Sequence, residues 1–340
     1  MHWHHTANDR QLPWKAEKDP YKVWLSEIIL QQTRAQQGLP YYLNFLKAYP
    51  TIRKMAAADD EEVYRIWQGL GYYNRCRNML ATARYISNDL KGKFPTAYES
   101  ILALKGIGPY TAAAIASFAY GLPHAVVDGN VYRVLARYFG MDTPSDGTEG
   151  KKLFHALAQE LLYRQDSAAY NQAIMDLGAT VCTPQKPKCG DCPLQKQCVA
   201  YRQDMVLLLP VRAKKLKVKE RYFNYLLLKH NDNIWVHKRT GKDIWHNLHE
   251  FFLIETDQIT GMKALLAIKE YKKLFSGNKA KHIGDFKQQL THQTIHSHFY
   301  EVSVDNPDIE ALANGKWVTV NDLKKIAFPK TIVSFLEKNF

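Results

Sequence analysis

The sequence predicts a mainly α-helical protein that ends in a smaller α+β domain, and three observations carry this prediction. From Tyr21 to about Gly178, apolar residues recur with helical spacing and without convincing strand alternation. After Pro210, short alternating runs bounded by turn residues take over. Between the two parts lies a cluster of cysteines. We therefore expect an all-helical domain over 1–209, a basic linker over 210–221 and an α+β domain over 222–340.

The overall charge indicates a polyanionic partner. The 340 residues, enough for two or three domains, include 46 Lys+Arg and 33 Asp+Glu, so the net charge is +13. A basic protein without such a partner is the alternative. The sequence contains no apolar run of 18 residues, and its polar, His-rich start leads us to expect no signal peptide. We therefore expect a cytoplasmic protein with reduced thiols and no membrane association.

The first long helix is predicted to begin at Asp19, a suitable N-cap, with Pro20 in its first position. Apolar spacing extends this helix over 21–37 and places Glu27 inside the apolar stripe. Partial burial there would raise the pKa of Glu27 and let it hold a proton near neutral pH. The alternative is a glutamate at the solvated edge of an amphipathic helix.

An aromatic turn separates the next two predicted helices, which lie within 59–84. The turn is Gly69-Leu70-Gly71-Tyr72-Tyr73. Tyr72 is suited to stack on a nucleic-acid base there, because stacking tolerates any base identity. Simple packing on the surface is the alternative.

The segment around Gly106 and Gly108 predicts a helix-hairpin-helix over about 97–121. Both glycines stand in a tight loop, where they let the backbone turn and be approached closely. The following helix is expected to begin at Pro109 or Tyr110 and to end at Gly121. Its first-turn N–H groups are suited to hold a DNA phosphate without reading sequence.

Asp128 is predicted to cap the next helix, which runs from Gly129 to Phe139 and ends at Gly140. Capping alone would explain this residue. A carboxylate that follows directly on a phosphate-binding hairpin also suggests a shared cleft. The rest of the helical part, over 145–178, is expected to bury one face that carries Leu153, Leu157, Leu161 and Leu162.

Four cysteines predict a metal centre at the end of the helical part. Their spacing is Cys-x6-Cys-x2-Cys-x5-Cys, and prolines and a glycine keep the segment a compact loop. Four such thiolates can ligate one tetrahedral zinc ion or a [4Fe–4S] cluster. The presence of a single Cys-x2-Cys pair favours the cluster. The residues are Cys182, Cys189, Cys192 and Cys198.

The C-terminal part predicts alternating strands and helices. Two strands, over 222–229 and 234–238, flank the turn Asn231-Asp232-Asn233 and indicate a hairpin. The other expected elements are a helix over 262–275, a strand over 295–304 and a final short helix over 328–336.

Five segments resemble a known family. They are WLSEIILQQTRA, WQGLGYYNRCRN, LKGIGPYTAAAI, VVDGNVYRVLAR and the cysteine loop. Together they closely resemble the adenine DNA glycosylases, within the wider superfamily of endonuclease III and the helix-hairpin-helix base-excision glycosylases. The resemblance covers the whole chain in order.

The resemblance implies roles for residues of one active site. Glu27 matches the family's general acid and base, and Asp128 matches the aspartate that stabilises the sugar cation. Tyr110 and Asn130 match pocket residues that assist them. Bifunctional members of the superfamily carry a Schiff-base lysine at the position of Tyr110, whereas Lys105 lies in the hairpin here. The resemblance therefore implies a glycosylase without strong strand-cutting activity.

The resemblance also implies DNA contacts and a cofactor. Gln32 and Tyr72 match residues that wedge into the duplex where the base leaves. Gly106 and Gly108 match the hairpin that grips DNA. The ligands of a [4Fe–4S] cluster match Cys182, Cys189, Cys192 and Cys198.

The C-terminal part resembles the family's Nudix-like domain, which inspects 8-oxoguanine. The tripeptide Leu290-Thr291-His292 matches the family's Phe-Ser-His loop, in which the hydroxyl side chain touches the oxidised base. The clustered glutamates of a pyrophosphatase are missing from the sequence, so that chemistry is not expected.

The resemblance implies hydrolysis of the N-glycosidic bond of adenine mispaired with 8-oxoguanine or guanine in duplex DNA. A nucleoid-associated monomer is expected, with repair proteins as candidate partners of the basic linker. Two other functions remain open. One is an endonuclease III-like glycosylase with lyase activity, and the other is a non-catalytic iron–sulfur DNA-binding protein. Tyr110 and the long C-terminal domain argue against the first, and the Glu27–Asp128 pair argues against the second.

Overall fold

The chain forms two compact units in a computed structural model that describes residues 1–213, 218–269, 271–272, 279–305, 312 and 314–340. The first unit comprises Met1–Ala57 and Asn78–Lys215, and the second comprises Ala58–Arg77 and Leu216–Phe340. These units differ from the expected domain ranges at 58–77, which group with the C-terminal part. Of the expected linker, 214–217 lies outside the described residues.

The first unit is helical. In chain order, the helices described within residues 1–213 are α1 (His2–Thr6), α2 (Pro20–Leu30), α3 (Ala35–Ala48), α4 (Ile52–Ala56), α5 (Asp60–Trp67), α6 (Tyr73–Asn88), α7 (Tyr98–Leu102), α8 (Pro109–Tyr120), α9 (Gly129–Phe139), α10 (Thr148–Glu160), α11 (Ser167–Thr180) and α12 (Val199–Arg202). Of these, α5 and the start of α6 belong to the second unit. Strands are described only from Lys219 onward, as the alternation pattern predicts.

The predicted start of α2 is confirmed, and its predicted end is wrong. The side chain of Asp19 accepts a hydrogen bond from the N–H of Tyr21, and Pro20 opens the helix. The helix ends at Leu30 rather than near residue 37, because Gln32 has a left-handed backbone with φ of 55°. Apolar spacing runs on into α3 and conceals this short turn.

The hairpin and the helix after it follow the prediction. In the loop before α8, Gly106 has φ of 79°, and a Cβ there would lie 2.7 Å from Cβ of Asn78. Only glycine therefore fits this turn without displacing its neighbour. The cap at Asp128 and the left-handed Gly140 at the end of α9 are both present.

The expected leucine face over 145–178 is wrong in part. This segment is divided into α10, a short 3₁₀ turn and α11. The buried side chains of α10 are those of Phe154 and Ala158, whereas Leu153 and Leu161 are 46% and 37% exposed. The buried face is therefore rotated from the one that leucine spacing suggested.

The N-terminal segment is attached to a buried carboxylate on α11. Asp176 is fully buried and pairs with Nη1 of Arg10 at 2.8 Å and with Nζ of Lys15 at 2.5 Å. Nδ2 of Asn8 donates to it at 2.7 Å. Two cations and an amide thus compensate for the burial of one negative charge.

The second unit contains a seven-stranded sheet. Its strands are β1 (Lys219–His230), β2 (Asn233–Lys238), β3 (His249–Glu250), β4 (Phe252–Thr256), β5 (Ala280–Gln289), β6 (Gln293–Ser303) and β7 (Gly315–Thr319). The order along the sheet is β3-β2-β1-β6-β5, with β4 paired to β1 and β7 paired to β2. β1 and β6 are parallel, and the other pairs are antiparallel. The predicted β1–β2 hairpin is confirmed.

The remaining described helices are α13 (Met262–Ala267), α14 (Val320–Leu323) and α15 (Lys330–Asn339). The predicted helix over 262–275 is present in its first part, but 270 and 273–278 lie outside the described residues. The last helix begins two residues later than expected, because Pro329 occupies its N-cap position. Among the described residues, no helix combines the length and apolar character needed to cross a bilayer.

Candidate active site and iron–sulfur loop

Glu27 is a buried carboxyl on α2 with only 6% of its surface exposed. Burial raises its pKa from 4.5 to about 7, and the nearby charge of Asp128 acts in the same direction. The hydroxyl of Tyr110 donates a hydrogen bond to Glu27, which favours the ionised form and opposes the rise. Glu27 is therefore poised to exchange a proton near neutral pH.

Asp128 is partly buried, but several hydrogen-bond donors surround its carboxylate. Its Oδ1 accepts from the backbone N–H groups of Asn130 and Val131, each at 2.8 Å. Its Oδ2 accepts from Nδ2 of Asn130 at 2.7 Å. Burial raises the pKa of Asp128 above its ordinary value, and these three donors and the charge of Arg133 limit the rise. The two carboxyl groups of the site therefore differ in their partners. Three hydrogen-bond donors favour the ionised form of Asp128, whereas burial favours the protonated form of Glu27.

The structure brings together the four residues that the sequence nominated for one site. Glu27 and Tyr110 are hydrogen-bonded, and so are Asp128 and Asn130. Asp128 also acts electrostatically on both Glu27 and Tyr110, whose phenol pKa is raised well above 10 by burial and these two carboxylates. Tyr110 therefore stays a neutral donor. The arrangement pairs a proton-holding acid with a charge-stabilising carboxylate.

Arg133 is a site-supporting residue that the sequence did not reveal. It is 8% exposed, and its Nη2 donates to Oδ1 of Asn130 at 2.9 Å and to the carbonyl of Gly178 at 2.6 Å. Its Nε donates to the carbonyl of Cys182 at 2.6 Å. A guanidinium thus connects the amide that holds Asp128 to the first cysteine of the loop. In the sequence, the only indication of this role is an arginine next to the apolar stripe of α9.

Arg137, one helical turn later and 2% exposed, is the second such residue. Its Nη1 donates to Sγ of Cys182 at 3.4 Å and to the carbonyl of Thr183 at 2.8 Å. Its Nη2 and Nε donate to the carbonyls of Pro184 and Leu209 at 3.0 and 3.1 Å. These charge-assisted hydrogen bonds fix the start of the cysteine loop against α9.

α11 packs tightly on the same part of α9. A Cβ at Gly178 would lie 2.6 Å from Cβ of Asn130 and 2.8 Å from its carbonyl oxygen. No larger side chain fits there without moving Asn130. The position of the Asp128–Asn130 pair is therefore determined from two sides, by Arg133 and by α11.

The four cysteines line one cavity together with Arg137. Four thiolates around one cavity can each bind a separate iron corner of a [4Fe–4S] cube. The donor set, with its hydrogen bond from Arg137 to Sγ of Cys182, therefore fits this cluster.

The predicted DNA-contacting residues of the first unit are accessible. Gln32 is exposed and has the left-handed backbone that ends α2. Gly108 is the N-cap of α8 and has no side chain with which to cap the first-turn N–H groups. Gly106 is also exposed. This end of α8 is suited to bind an anion.

In the second unit, two predicted residues meet. The hydroxyl of Tyr72 is hydrogen-bonded to Oγ1 of Thr291. Leu290, Thr291 and His292 form the tight connection between β5 and β6, where the N–H of Leu290 donates to the carbonyl of Gln293 at 2.7 Å. Tyr72 is exposed and also has a left-handed backbone, with φ of 48°.

Three regions of the chain match known protein families. Residues 25–161 match the HhH-GPD superfamily of base excision DNA repair proteins. Residues 182–198 match the iron–sulfur binding domain of endonuclease III, and residues 224–338 match a NUDIX domain. These matches confirm the predicted fold class and the [4Fe–4S] cofactor.

Individual relatives extend the likeness. The chain is 32% identical over 342 residues to the adenine DNA glycosylase of Buchnera aphidicola subsp. Schizaphis graminum, covering 99% of this chain and 96% of that protein. It is 41% identical over 203 residues to the human adenine DNA glycosylase, covering 57% of this chain and 37% of that protein.

Solved structures share the fold of the helical part. A thermostable thymine-DNA glycosylase has 31% identity and a TM-score of 0.55, with 59% of this chain and 93% of that chain covered. A trapped endonuclease III–DNA covalent intermediate has 20% identity and a TM-score of 0.51, with 58% and 91% covered. At that identity the second likeness concerns the fold alone.

The likeness to the Buchnera protein runs through both units and nearly the full length of both chains. The hairpin, the cysteine loop and the Nudix-like sheet all lie where the family matches place them. The chain therefore belongs to the adenine DNA glycosylases, a family of base excision repair enzymes within the HhH-GPD superfamily.

Proposed function

We propose that this protein removes adenine that is mispaired with 8-oxoguanine or guanine in duplex DNA. The observation that carries the proposal is the Glu27–Asp128 pair. One carboxyl has a pKa of about 7, and the other is held by three hydrogen-bond donors. This is the division of labour used to break glycosidic bonds through a cationic sugar. A protein that only binds DNA needs neither residue.

The reaction begins with extrusion of the adenine from the helix. The glycosidic bond is inaccessible in the base stack, and flipping costs a few kcal/mol, less for a mispair. Protonated Glu27 donates its proton to N7 of adenine. The C1′–N9 bond then breaks, and its electron pair leaves with neutral adenine. The sugar is left as an oxocarbenium ion.

The remaining steps use both carboxylates. Ionised Asp128 stabilises the positive charge on the sugar, and its three donors favour this ionised form and hold it in place. Glu27, now ionised, takes a proton from water as the oxygen adds to C1′. Adenine and an abasic site are released, and Glu27 is protonated again. Tyr110 orients Glu27 through its hydrogen bond.

Tyr110 supports a monofunctional enzyme. A Schiff-base lyase needs an amine beside the sugar carbon. The corresponding position carries a phenol whose pKa is well above 10, and Lys105 is an exposed residue of the hairpin loop. We therefore expect an intact abasic strand as the product.

The Tyr72–Thr291 pair supports inspection of the opposite base. Thr291 presents a hydroxyl in the β5–β6 connection, and Tyr72 holds it by a hydrogen bond. A hydroxyl can exchange this bond for one to the oxidised edge of 8-oxoguanine. Leu290 and His292 flank it in the same turn. We assign preference for 8-oxoguanine over guanine to this turn.

DNA is held without sequence reading by the rest of the surface. The uncapped end of α8, with Gly106 and Gly108, binds a backbone phosphate. Gln32 and Tyr72 enter the gap left by the flipped base. The [4Fe–4S] cluster supplies structural order to the loop over 182–198. We further propose that the protein acts as a monomer and that the linker contacts repair proteins.

The test is single-turnover cleavage of four duplexes, which contain A:8-oxoG, A:G, A:T and thymine glycol:A. Each reaction is analysed with and without alkali. Adenine release from the first two, with strand scission only after alkali, is the expected result. Scission of the thymine-glycol strand without alkali would instead indicate a lyase. Tight binding with no excision would indicate a binding protein.

Variants link the activity to the site. Glu27→Gln and Asp128→Asn should each lower the excision rate by about 10²–10⁴-fold while leaving DNA affinity nearly unchanged. Glu160→Gln, at an exposed position at the end of α10, is the matched control. Near-normal excision by Glu27→Gln would contradict the assignment. Thr291→Val should reduce the A:8-oxoG rate toward the A:G rate.

A further inference from the structure

Two imidazoles and one carboxylate form a cluster on the sheet of the second unit, outside the residues described above. His282 and Asp285 lie on β5, and His298 lies on β6. Oδ1 of Asp285 is 2.8 Å from Nε2 of His282 and 2.6 Å from Nδ1 of His298. One ligand atom from each residue lies within 4.8 Å of the other two.

A β-bulge creates this arrangement. In a regular strand, residues three apart point to opposite faces, so His282 and Asp285 would diverge. The β5–β6 register pairs His282 with Tyr300 and Gly284 with Phe299, so Ile283 is an extra residue. That extra residue returns His282 to the face of Asp285 and His298. Bulges of this kind commonly re-aim a side chain at a functional position.

We propose that His282, Asp285 and His298 bind a divalent transition-metal ion, with zinc as the preferred ion. Imidazole nitrogen and carboxylate oxygen are ordinary zinc ligands, with bonds of about 2.0–2.2 Å. Ligands of a tetrahedral site are then about 3.3 Å apart. The two nitrogen–oxygen separations then open by about 0.5 and 0.7 Å on binding, which side-chain rotation provides. Water completes the coordination.

One of the three ligands has an unpaired ring nitrogen on the side away from the cluster. Nε2 of His298 is buried and has no hydrogen-bond partner among the described residues. Oδ1 of Asn224 on β1 is likewise buried and unpaired, and Asn224 is the register partner of His298. Metal on Nδ1 would fix the ring proton on Nε2, for which Oδ1 of Asn224 is the candidate acceptor on the register-paired strand. Histidine ligands are usually oriented by such a second hydrogen bond.

The metal would join an edge strand to its neighbour. β5 ends the sheet order and pairs with β6 alone in that order. Two of the three ligands are on β5 and the third is on β6, so the ion bridges the pair at the bulge. An ion that binds the folded chain but not the unfolded chain raises stability by mass action.

The test measures zinc on the full-length, cluster-containing protein. The chain and its variants are dialysed against micromolar ZnCl₂, and zinc and iron are quantified together by elemental mass spectrometry. Asp285→Asn is the first variant, because this exposed side chain can be changed with little risk to folding. His298→Ala is the second. His296→Ala is the matched control, since His296 pairs with Glu220 at 2.6 Å and belongs to no three-ligand group among the described residues.

We expect the two ligand variants to bind one zinc fewer per chain than the unmodified protein and the control, with equal iron. The difference also excludes zinc bound by the histidines near the N-terminus. X-ray absorption at the zinc edge should show nitrogen and oxygen neighbours at about 2.0–2.1 Å. Zinc should raise the melting temperature of the control but not that of Asp285→Asn. Equal zinc content in all four proteins, or a sulfur shell at about 2.3 Å, would overturn the proposal.

Discussion

Replacing Glu27 by glutamine should affect the stability of the protein more favourably at pH 8 than at pH 5, although the substitution removes the proposed acid. In the folded chain the pKa of Glu27 is about 7, against an ordinary value of 4.5. Between these values the folded chain binds more protons than the unfolded chain. The free energy of unfolding therefore falls as pH rises from about 4.5 to about 7, and it stays low above that.

The size of this effect follows from the two pKa values. Their difference corresponds to about 3 kcal/mol, the cost of ionising a carboxyl that is only 6% exposed. Glutamine has no such cost at any pH. Its buried amide adds a penalty of about 1–3 kcal/mol if a donor is left unpaired, but that penalty does not vary with pH. The diagnostic quantity is therefore the change in the stability difference between pH 5 and pH 8.

Thermal unfolding followed by circular dichroism at the two pH values measures this change. About 2.5 kcal/mol of this loss lies between pH 5 and pH 8, because the rest occurs below pH 5. For a domain of 150–250 residues, this corresponds to roughly 5–10 °C in melting temperature. The melting temperature of the Glu27→Gln variant, measured relative to that of the unmodified protein, should rise by this amount between pH 5 and pH 8. The relative melting temperature of Glu160→Gln, a substitution at an exposed site, should be the same at both pH values. An unchanged or opposite difference would refute the raised pKa and the role of burial behind it.

Three further predictions concern residues that hold the site or the surrounding fold in place. Tyr110→Phe removes a donor that lowers the pKa of Glu27, so the alkaline limb of the single-turnover pH–rate profile should move to higher pH; a move to lower pH would contradict the hydrogen bond. Arg133→Lys should lower the excision rate by about 10- to 100-fold with DNA affinity retained, because one ammonium cannot replace the fork that holds Asn130. Asp176→Asn should destabilise the fold by about 3–5 kcal/mol in denaturant titrations, since its two cations lose their counter-charge, while excision at low temperature persists.

Local signals were sufficient for the parts of the site that depend on a few neighbouring residues. The cap at Asp128 and the loop at Gly106 rest on residue types that few other conformations favour. Both could therefore be predicted from the sequence and are present in the structure. The cysteine spacing predicted the cluster for the same reason.

Features that depend on tertiary packing were predicted wrongly from the sequence or not at all. Apolar spacing continued across Gln32 because both α2 and α3 bury residues, so the turn between them left no trace in periodicity. The spacing of leucines suggested a face that includes Leu153, but the face of α10 that meets its neighbours carries Phe154 instead. Only tertiary contacts decide which of several apolar stripes is buried.

The environment of Glu27 lies between these cases. Its place in an apolar stripe predicted burial, and the structure confirms it. The hydrogen bond from Tyr110 could not be predicted, because the two residues are far apart in sequence and meet only when α2 packs on α8. Nε2 of Gln31, at the end of α2, donates to Oγ1 of Thr111 at 3.1 Å, which is a second contact between α2 and α8.

One helix connects the reacting end of the site to the cofactor loop. α9 starts at the carboxylate of Asp128 and carries Arg133 and Arg137 along the side that meets Cys182. At 1.5 Å per residue, the distance from Asp128 to Arg137 along the helix is about 14 Å. Both guanidinium groups are buried, so each must keep its carbonyl acceptors or leave an unpaired charge. The order of the loop and the orientation of Asp128 are consequently parts of one hydrogen-bonded structure, whereas Glu27 is held from the other side by α2 and Tyr110. Disturbing the loop should therefore misplace the charge-stabilising carboxylate before it affects the proton donor.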